Sequence, residues 1–188
     1  RGGRTRRAPS PGVTEPAALR RADGASVYRV TGSTRYTSQR ILLAEHRLVG
    51  LAGQGDGRRC DPNSVEAALL GELAGGNPLN PGQALLVREM ATSGRRVQLA
   101  LAPAGTGKTT AMRVLSSAWT YNGGSVVALA PSATAAAQLS ETLGQGVTAE
   151  PLHKLSHELT RSDPPPWVQQ MNDRTLVIID EAGMADTL

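Results

Sequence analysis

The sequence predicts an α/β fold: a parallel sheet covered by helices on both faces, preceded by a mostly helical N-terminal region. Two observations carry this. Three apolar runs, "VQLALAP" from Val97, "SVVALAP" from Ser125 and "TLVIID" from Thr175, alternate with stretches that read as amphipathic helices. Runs without polar alternation suit strands buried on both faces, the position of a parallel strand in an α/β layer. The second observation is the join between the first run and the next helix, "APAGTGKTT", a short glycine-containing loop.

The elements follow in order. Residues 1–25 are rich in Arg, Gly and Pro and hold too few apolar side chains to offset ordering entropy, so they read as a flexible basic segment. "SVYRVTG" from Ser26 reads as a short strand. "YTSQRILLAEHRLVGLAG" reads as a helix capped by Thr37 or Ser38, with Ile41, Leu42, Glu45 and Leu48 at turn spacing. Together with "DPNSVEAALLGELAGG", a helix with Asp61 as cap, Pro62 in its first turn and Gly75 near its end, this forms a helical linker region over 26–78. A third helix, "NPGQALLVREMATSG", takes Asn80 as cap, Pro81 as first residue and Gly94 as left-handed stop. After the strand at 97–103, "GKTTAMRVLSSAWTYNG" presents Met112, Leu115, Ala118 and Trp119 on one helical face. "ATAAAQLSETLG" is a further helix, "EPLHKLSHELT" a short one, and Pro164–Pro166 break the chain before the last strand.

Composition narrows the class. The chain has 188 residues, enough for one domain with a sizeable core and an extension. No run of 18 apolar residues occurs, which argues against a membrane span. Cys60 is the only cysteine, which excludes an internal disulfide and a cysteine-based zinc cluster; it reads as structural rather than nucleophilic and fits a reducing, cytoplasmic setting. Arg outnumbers Lys 18 to 2 and Phe is absent, the mark of GC-rich codons, so weak apolar periodicity here does not mean weak packing. Residues 1–59 carry twelve Arg against four acids, a bias that suits either contact with an anionic polymer or a solvated linker.

The loop at 102–109 has chemistry in its spacing. A strand, a glycine-containing loop and a helix N-terminus together place backbone N–H groups and the helix dipole around an anion. Ala104, Gly105, Thr106, Gly107 and Thr110 belong to this cradle, and its two glycines let the backbone approach without a Cβ. Lys108 supplies a cation for the β- and γ-phosphates, and Thr109 offers a hydroxyl to Mg²⁺. Ala102 stands where the usual pattern has its first glycine, which alanine replaces if φ stays negative there. A chance match on a Gly/Ala-rich chain is the rival explanation. "LVIIDEAGM" argues against chance. Its apolar residues deliver Asp180 to the C-terminal end of a buried strand, where Asp180 can hold Mg²⁺ through water and Glu181 can polarise the water that attacks the γ-phosphate. Alone, the same residues would read as a solvated acidic turn.

With these residues in place the chain resembles superfamily 1 helicases of the RecD-like branch, and most of all the helicase part of TraA/TraI-type (MobF class) conjugative relaxases. "APAGTGKTT" and "DEAGM" match the first two motifs, and the likeness runs from about Tyr28 to the end. "LNPGQALLV" resembles the upstream glutamine motif, which implies Gln83 on the adenine edge. "ALAPSATAAAQL" resembles a motif that touches single-stranded DNA. "LHKLSHEL" resembles the segment after it, though Pro151 stands where threonine is common. "RYTSQRILLAEHRLV" resembles the segment preceding the motor.

The resemblance implies a P-loop NTPase (RecA-like) fold, with 79–188 as part of the first motor lobe. It also implies ATP and Mg²⁺ as cofactors and single-stranded DNA as partner. A second lobe, with the arginines that reach the γ-phosphate, is expected downstream in the intact chain, since this one stops eight residues after Asp180; a relaxase nuclease would lie upstream, and the sequence leaves open whether one is attached. The fragment alone is expected to bind nucleotide weakly and to be a poor ATPase. His46, His153 and His157 do not reproduce the relaxase metal cluster. Ser132, Thr134 and His153 are candidate DNA contacts, with helix capping an equal reading for Ser132 and Thr134. Trp119 and Trp167 read as packing residues. The rival functions are a P-loop ATPase of another class and a nucleotide-binding module without catalysis. Gln83 and Met184 favour the helicase, and the intact set Lys108, Thr109, Asp180 and Glu181 favours catalysis.

Overall fold

Three parallel strands and the helices on their two faces organise the larger part of the protein. The computed structural model describes residues 4–6, 36–101 and 107–182. Contacts separate a unit ending at Leu48 from a unit of Val49–Asp186. In the first unit, β1 (Arg4–Arg6) pairs antiparallel with β2 (Tyr36–Ser38). Arg4–Arg6 thus departs from the flexible reading of its segment, while the helix expected behind a cap at Thr37 or Ser38 starts at Gln39. That helix, α1 (Gln39–Ala52), is capped by Ser38, whose Oγ accepts the Ile41 N–H at 3.3 Å. None of its residues is buried. The strand expected at 26–32 lies outside the described residues.

The second unit holds α2 (Pro62–Ala74), α3 (Pro81–Thr92), α4 (Lys108–Tyr121), β3 (Ser125–Ala130), α5 (Ala133–Leu143), β4 (Val147–Pro151), α6 (Leu152–Glu158), α7 (Pro166–Gln169) and β5 (Thr175–Ile179). The sheet order is β4-β3-β5, with both pairs parallel. Val126 lies opposite Val147 on one side and Leu176 on the other. Side chains alternate across a strand, which explains why "SVVALA" is apolar throughout. Val126, Ala128 and Ala130 enter one core with Ile178 and residues of α2 to α5. Val127 and Leu129 enter a second with Leu155 of α6 and Val168 of α7. Helices therefore cover both faces, as the apolar runs predict.

Helix α4 is the central member of the first core. Ala111, Val114, Leu115, Ala118 and Trp119 are all buried, and Met112 packs against them. Trp119 also donates its indole N–H to the Arg174 carbonyl at 2.8 Å, fixing the end of α4 to the chain just before β5. Helix α2 joins the same core through Val65 and Ala68, and a Glu72–Arg113 ion pair at 2.6 Å ties it to α4. Asn122, just past α4, accepts from the Asp61 N–H through Oδ1 and from Arg58 through its carbonyl, which fastens the approach to α2.

Several expectations need correction. The strand expected at 97–103 is not formed over its described part, 97–101, where Leu99 is 74% and Leu101 85% exposed. An apolar run becomes a strand only when a neighbour takes its N–H and C=O groups. Among the described residues, no strand pairs with 97–101. Conversely, Val147–Pro151 is a strand, whereas the sequence reads as a helix from Glu150. It is an edge strand with only Pro151 buried, so its residues carry little apolar alternation. Asp61 occupies the cap position of α2 without a side-chain bond; its carbonyl instead takes the Ser64 and Val65 N–H groups. Pro166 opens the one-turn helix α7, a position where a missing N–H costs nothing. Asn80 and Gly94 act as expected, Gly94 with φ +70. Among the described residues no helix is long and apolar enough to cross a membrane.

Two measurements check this packing. Leu129 is 1% exposed. Leu129→Ala is expected to cost about 2–5 kcal/mol in urea unfolding, whereas Leu159→Ala, at a site 64% exposed, should stay within about 0.5 kcal/mol. Cys60 is buried, and burial pushes its thiol from the ordinary 9.0 up to about 11. The folded state thus keeps the proton longer than the unfolded state. That contribution is complete below pH 9 and is lost as pH rises toward 11. The stability advantage of the wild-type chain over Cys60→Ala should therefore narrow across that window.

Candidate functional site

The site is built where the glycine loop enters α4 and where β5 ends. Gly107 caps α4 in the left-handed conformation, φ +75 and ψ +31. The left-handed angle favours glycine, and a Cβ there would fall 2.2 Å from Nε2 of Gln83, which would have to move. Lys108, Thr109 and Thr110 form the first turn of α4 and are half-buried. The N–H groups of a helix's first turn point out of its N-terminal end. Ala104, Gly105 and Thr106 lie outside the described residues, as does Met184.

The packing of α4 sets where this turn lies. Trp119, near its C-terminal end, is bonded at the start of β5, and Gly124 donates to the Trp119 carbonyl just before β3. From that anchor the helix runs back along the sheet for about 20 Å, close to the length of the strands. Lys108 therefore lies toward the edge where the strands end. Asp180 is at that edge: its N–H donates to the Leu129 carbonyl at 2.9 Å, continuing the ladder one step past β5. Asp180 and Glu181 are exposed. The Glu181 N–H donates to Asp180 Oδ1 at 3.0 Å, and Glu181 takes φ +50, the only positive value at a non-glycine among the described residues.

The remaining candidates divide. Ser132 caps α5, its Oγ accepting the Ala135 N–H at 3.2 Å, and it remains exposed. Thr134 is exposed in the first turn of α5, and His153 is exposed near the start of α6. Because Ala130 lies opposite Pro151, the starts of α5 and α6 sit side by side at the strand ends. Gln83 forms a full capping box with Asn80, and its Nε2 also donates to the Gly107 carbonyl at 3.3 Å. The cap is legible in the N-x-x-Q spacing of residues 80–83; the link to Gly107 is not. Two clefts among the described residues, about 770 and 560 Å³, are lined by neither Lys108 nor Asp180.

The donor types suit a nucleoside triphosphate and its metal. An ammonium group and helix N-terminal amides match phosphate oxygens, while a hydroxyl and a carboxylate are the hard oxygen ligands Mg²⁺ takes. Fold and site together define a P-loop, nucleotide-binding domain of the α/β class. A family profile described as an AAA domain matches residues 78–188, more than half of the chain and all of both motifs. The chain belongs to this AAA domain family, and its P-loop domain is of the helicase type. No curated protein and no solved structure matches.

Gly107 offers a direct check. Gly107→Ala meets both the left-handed penalty, about 1–2 kcal/mol, and the clash with Gln83. Gly123 has φ +71 with nothing within 4 Å of an added Cβ, so Gly123→Ala carries the conformational part alone. Urea unfolding should show Gly107→Ala as the more destabilising of the two.

Proposed function

We propose that this chain is the ATP-binding part of an ATP-dependent single-strand DNA translocase, working in the intact protein with a second motor lobe. The observation that carries the reading is the family match, which spans the Lys108 turn at one end and the Asp180–Glu181 pair at the other. The ammonium of Lys108 balances charge on the β- and γ-phosphates. Thr109 and Asp180 would hold Mg²⁺, directly or through water, and the ion would supply further neutralisation of the phosphate oxygens. Glu181 orients the attacking water and draws on its proton.

A DNA role is supported by the placement of Ser132, Thr134 and His153. All three are exposed at the ends of β3 and β4, on the edge of the sheet where Asp180 also lies. Hydroxyls and N–H groups there suit backbone phosphates, which position a strand without reading its sequence. The helicase of a conjugative relaxase is the setting we assign, with the nuclease elsewhere in the intact chain and the cytoplasm as the compartment.

In the intact protein, Lys108→Ala should lower ATP turnover by about 100-fold or more while leaving the circular dichroism spectrum unchanged. Wild-type turnover should rise on adding single-stranded DNA. Wild-type rates in Lys108→Ala would remove the assignment. Turnover indifferent to DNA would point to an ATPase of another class, and no turnover at all to a binding module.

A further inference from the structure

We infer that Gln83 is a positioning residue for the triphosphate: it ties the start of α3 to the start of α4 and aims a backbone donor at the phosphates. The inference deepens the nucleotide reading and rests on it.

Each end of the Gln83 amide has a partner in the protein. Oε1 accepts the Asn80 N–H at 2.8 Å, while the Gln83 N–H donates to Asn80 Oδ1 at 2.9 Å. This locks the side chain into the first turn of α3. Nε2 then reaches across 24 residues to the Gly107 carbonyl at 3.3 Å. The same carbonyl accepts the first intrahelical bond of α4, from the Ala111 N–H at 3.1 Å. A carbonyl oxygen has two lone pairs, and here α4 and Gln83 each supply a donor. The peptide group between Gly107 and Lys108 is therefore held from two directions.

That peptide is planar and trans, so its C=O and N–H point opposite ways. Holding the Gly107 carbonyl back along α4 turns the Lys108 N–H outward from the helix N-terminus, where an anion is received. Gly107 completes the arrangement. The amide of Gln83 occupies the space a Cβ would need, with 2.2 Å between them, so a side chain at 107 would push the Gln83 amide off the Gly107 carbonyl. Both helices are seated in one core, through Val87 and Ala91 of α3 and Ala111 and Val114 of α4. The tie thus connects two fixed bodies, and its effect falls on the donor they orient.

A residue that acts through the phosphate cradle affects every ligand with a triphosphate, whatever its base. The experiment measures Mg²⁺-dependent binding of ATP, GTP and inorganic tripolyphosphate to the 188-residue chain by calorimetry. In Gln83→Ala all three should weaken by the same factor, about three- to tenfold, the worth of one hydrogen bond. Asn80→Ala, which opens the cap but leaves the link to Gly107, should bind all three like the wild-type chain. Weakening confined to ATP would overturn the inference in favour of a base contact. Equal losses in Asn80→Ala and Gln83→Ala would overturn it in favour of helix capping. A wild-type chain that binds none of the three would overturn the nucleotide reading itself and this inference with it.

Discussion

The packing of α4 against β3 is the contact on which the larger unit depends. Ala111 and Ala118 are fully buried, and side chains that small let the helix backbone pack closely in the core it shares with the sheet and with α2 and α3. Val114, Leu115 and Trp119 fill the remaining space, each worth about 1.5–3 kcal/mol or more on burial. The indole N–H of Trp119 finds the Arg174 carbonyl, so this large side chain is buried without stranding its polar atom. One interface thereby fixes helix direction, and with it the end of the sheet at which Lys108 stands. The chemistry at one end of α4 is set by apolar contacts along its length.

Much of this was legible in the residues. The apolar runs of β3 and β5, the cap and stop of α3 and the buried face of α4 all follow from period and end chemistry. What could not be read depends on neighbours. "VQLAL" has the composition of a buried strand, yet Leu99 and Leu101 face solvent. At β5, Val177 and Ile179 are also 38% and 45% exposed. Among the described residues β5 pairs only with β3, so one of its edges has no strand beside it. Composition states what a segment would bury; pairing decides whether it does. The reverse holds at β4, where "VTAEP" has little apolar character but β3 beside it supplies the hydrogen bonds. The phosphate loop was legible from the order of its residues, and its link to Gln83 was not, since no spacing rule joins positions 24 apart.

Charge adds alignment rather than strength. Arg88 meets Glu66 in a two-pronged pair at 2.6 and 2.9 Å, and Arg96 meets Asp56 at 2.8 and 2.7 Å. Each guanidinium holds its carboxylate below the ordinary range, by hydrogen bonding first and charge second. Both pairs are exposed, where solvent screening leaves little net stabilisation. Their geometry still matters, because a planar fork fixes angle as well as distance. The first pair keys α3 onto α2. The second holds the segment after α3 to the segment before α2. A chain with 18 Arg and 2 Lys has such forks available at most basic positions.

The turn after β5 carries a different kind of constraint. Glu181 adopts φ +50, a conformation that costs a non-glycine side chain about 1–2 kcal/mol. Glycine would take it freely, and Glu181 gains no packing reward in return, since it and Ala182 are both exposed. The turn is held instead by the bond from the Glu181 N–H to Asp180 Oδ1 and by the ladder bond from Asp180 to Leu129. A residue in a sparsely populated backbone region persists where the surrounding structure fixes it, and here two hydrogen bonds do so on either side of the Asp180–Glu181 peptide.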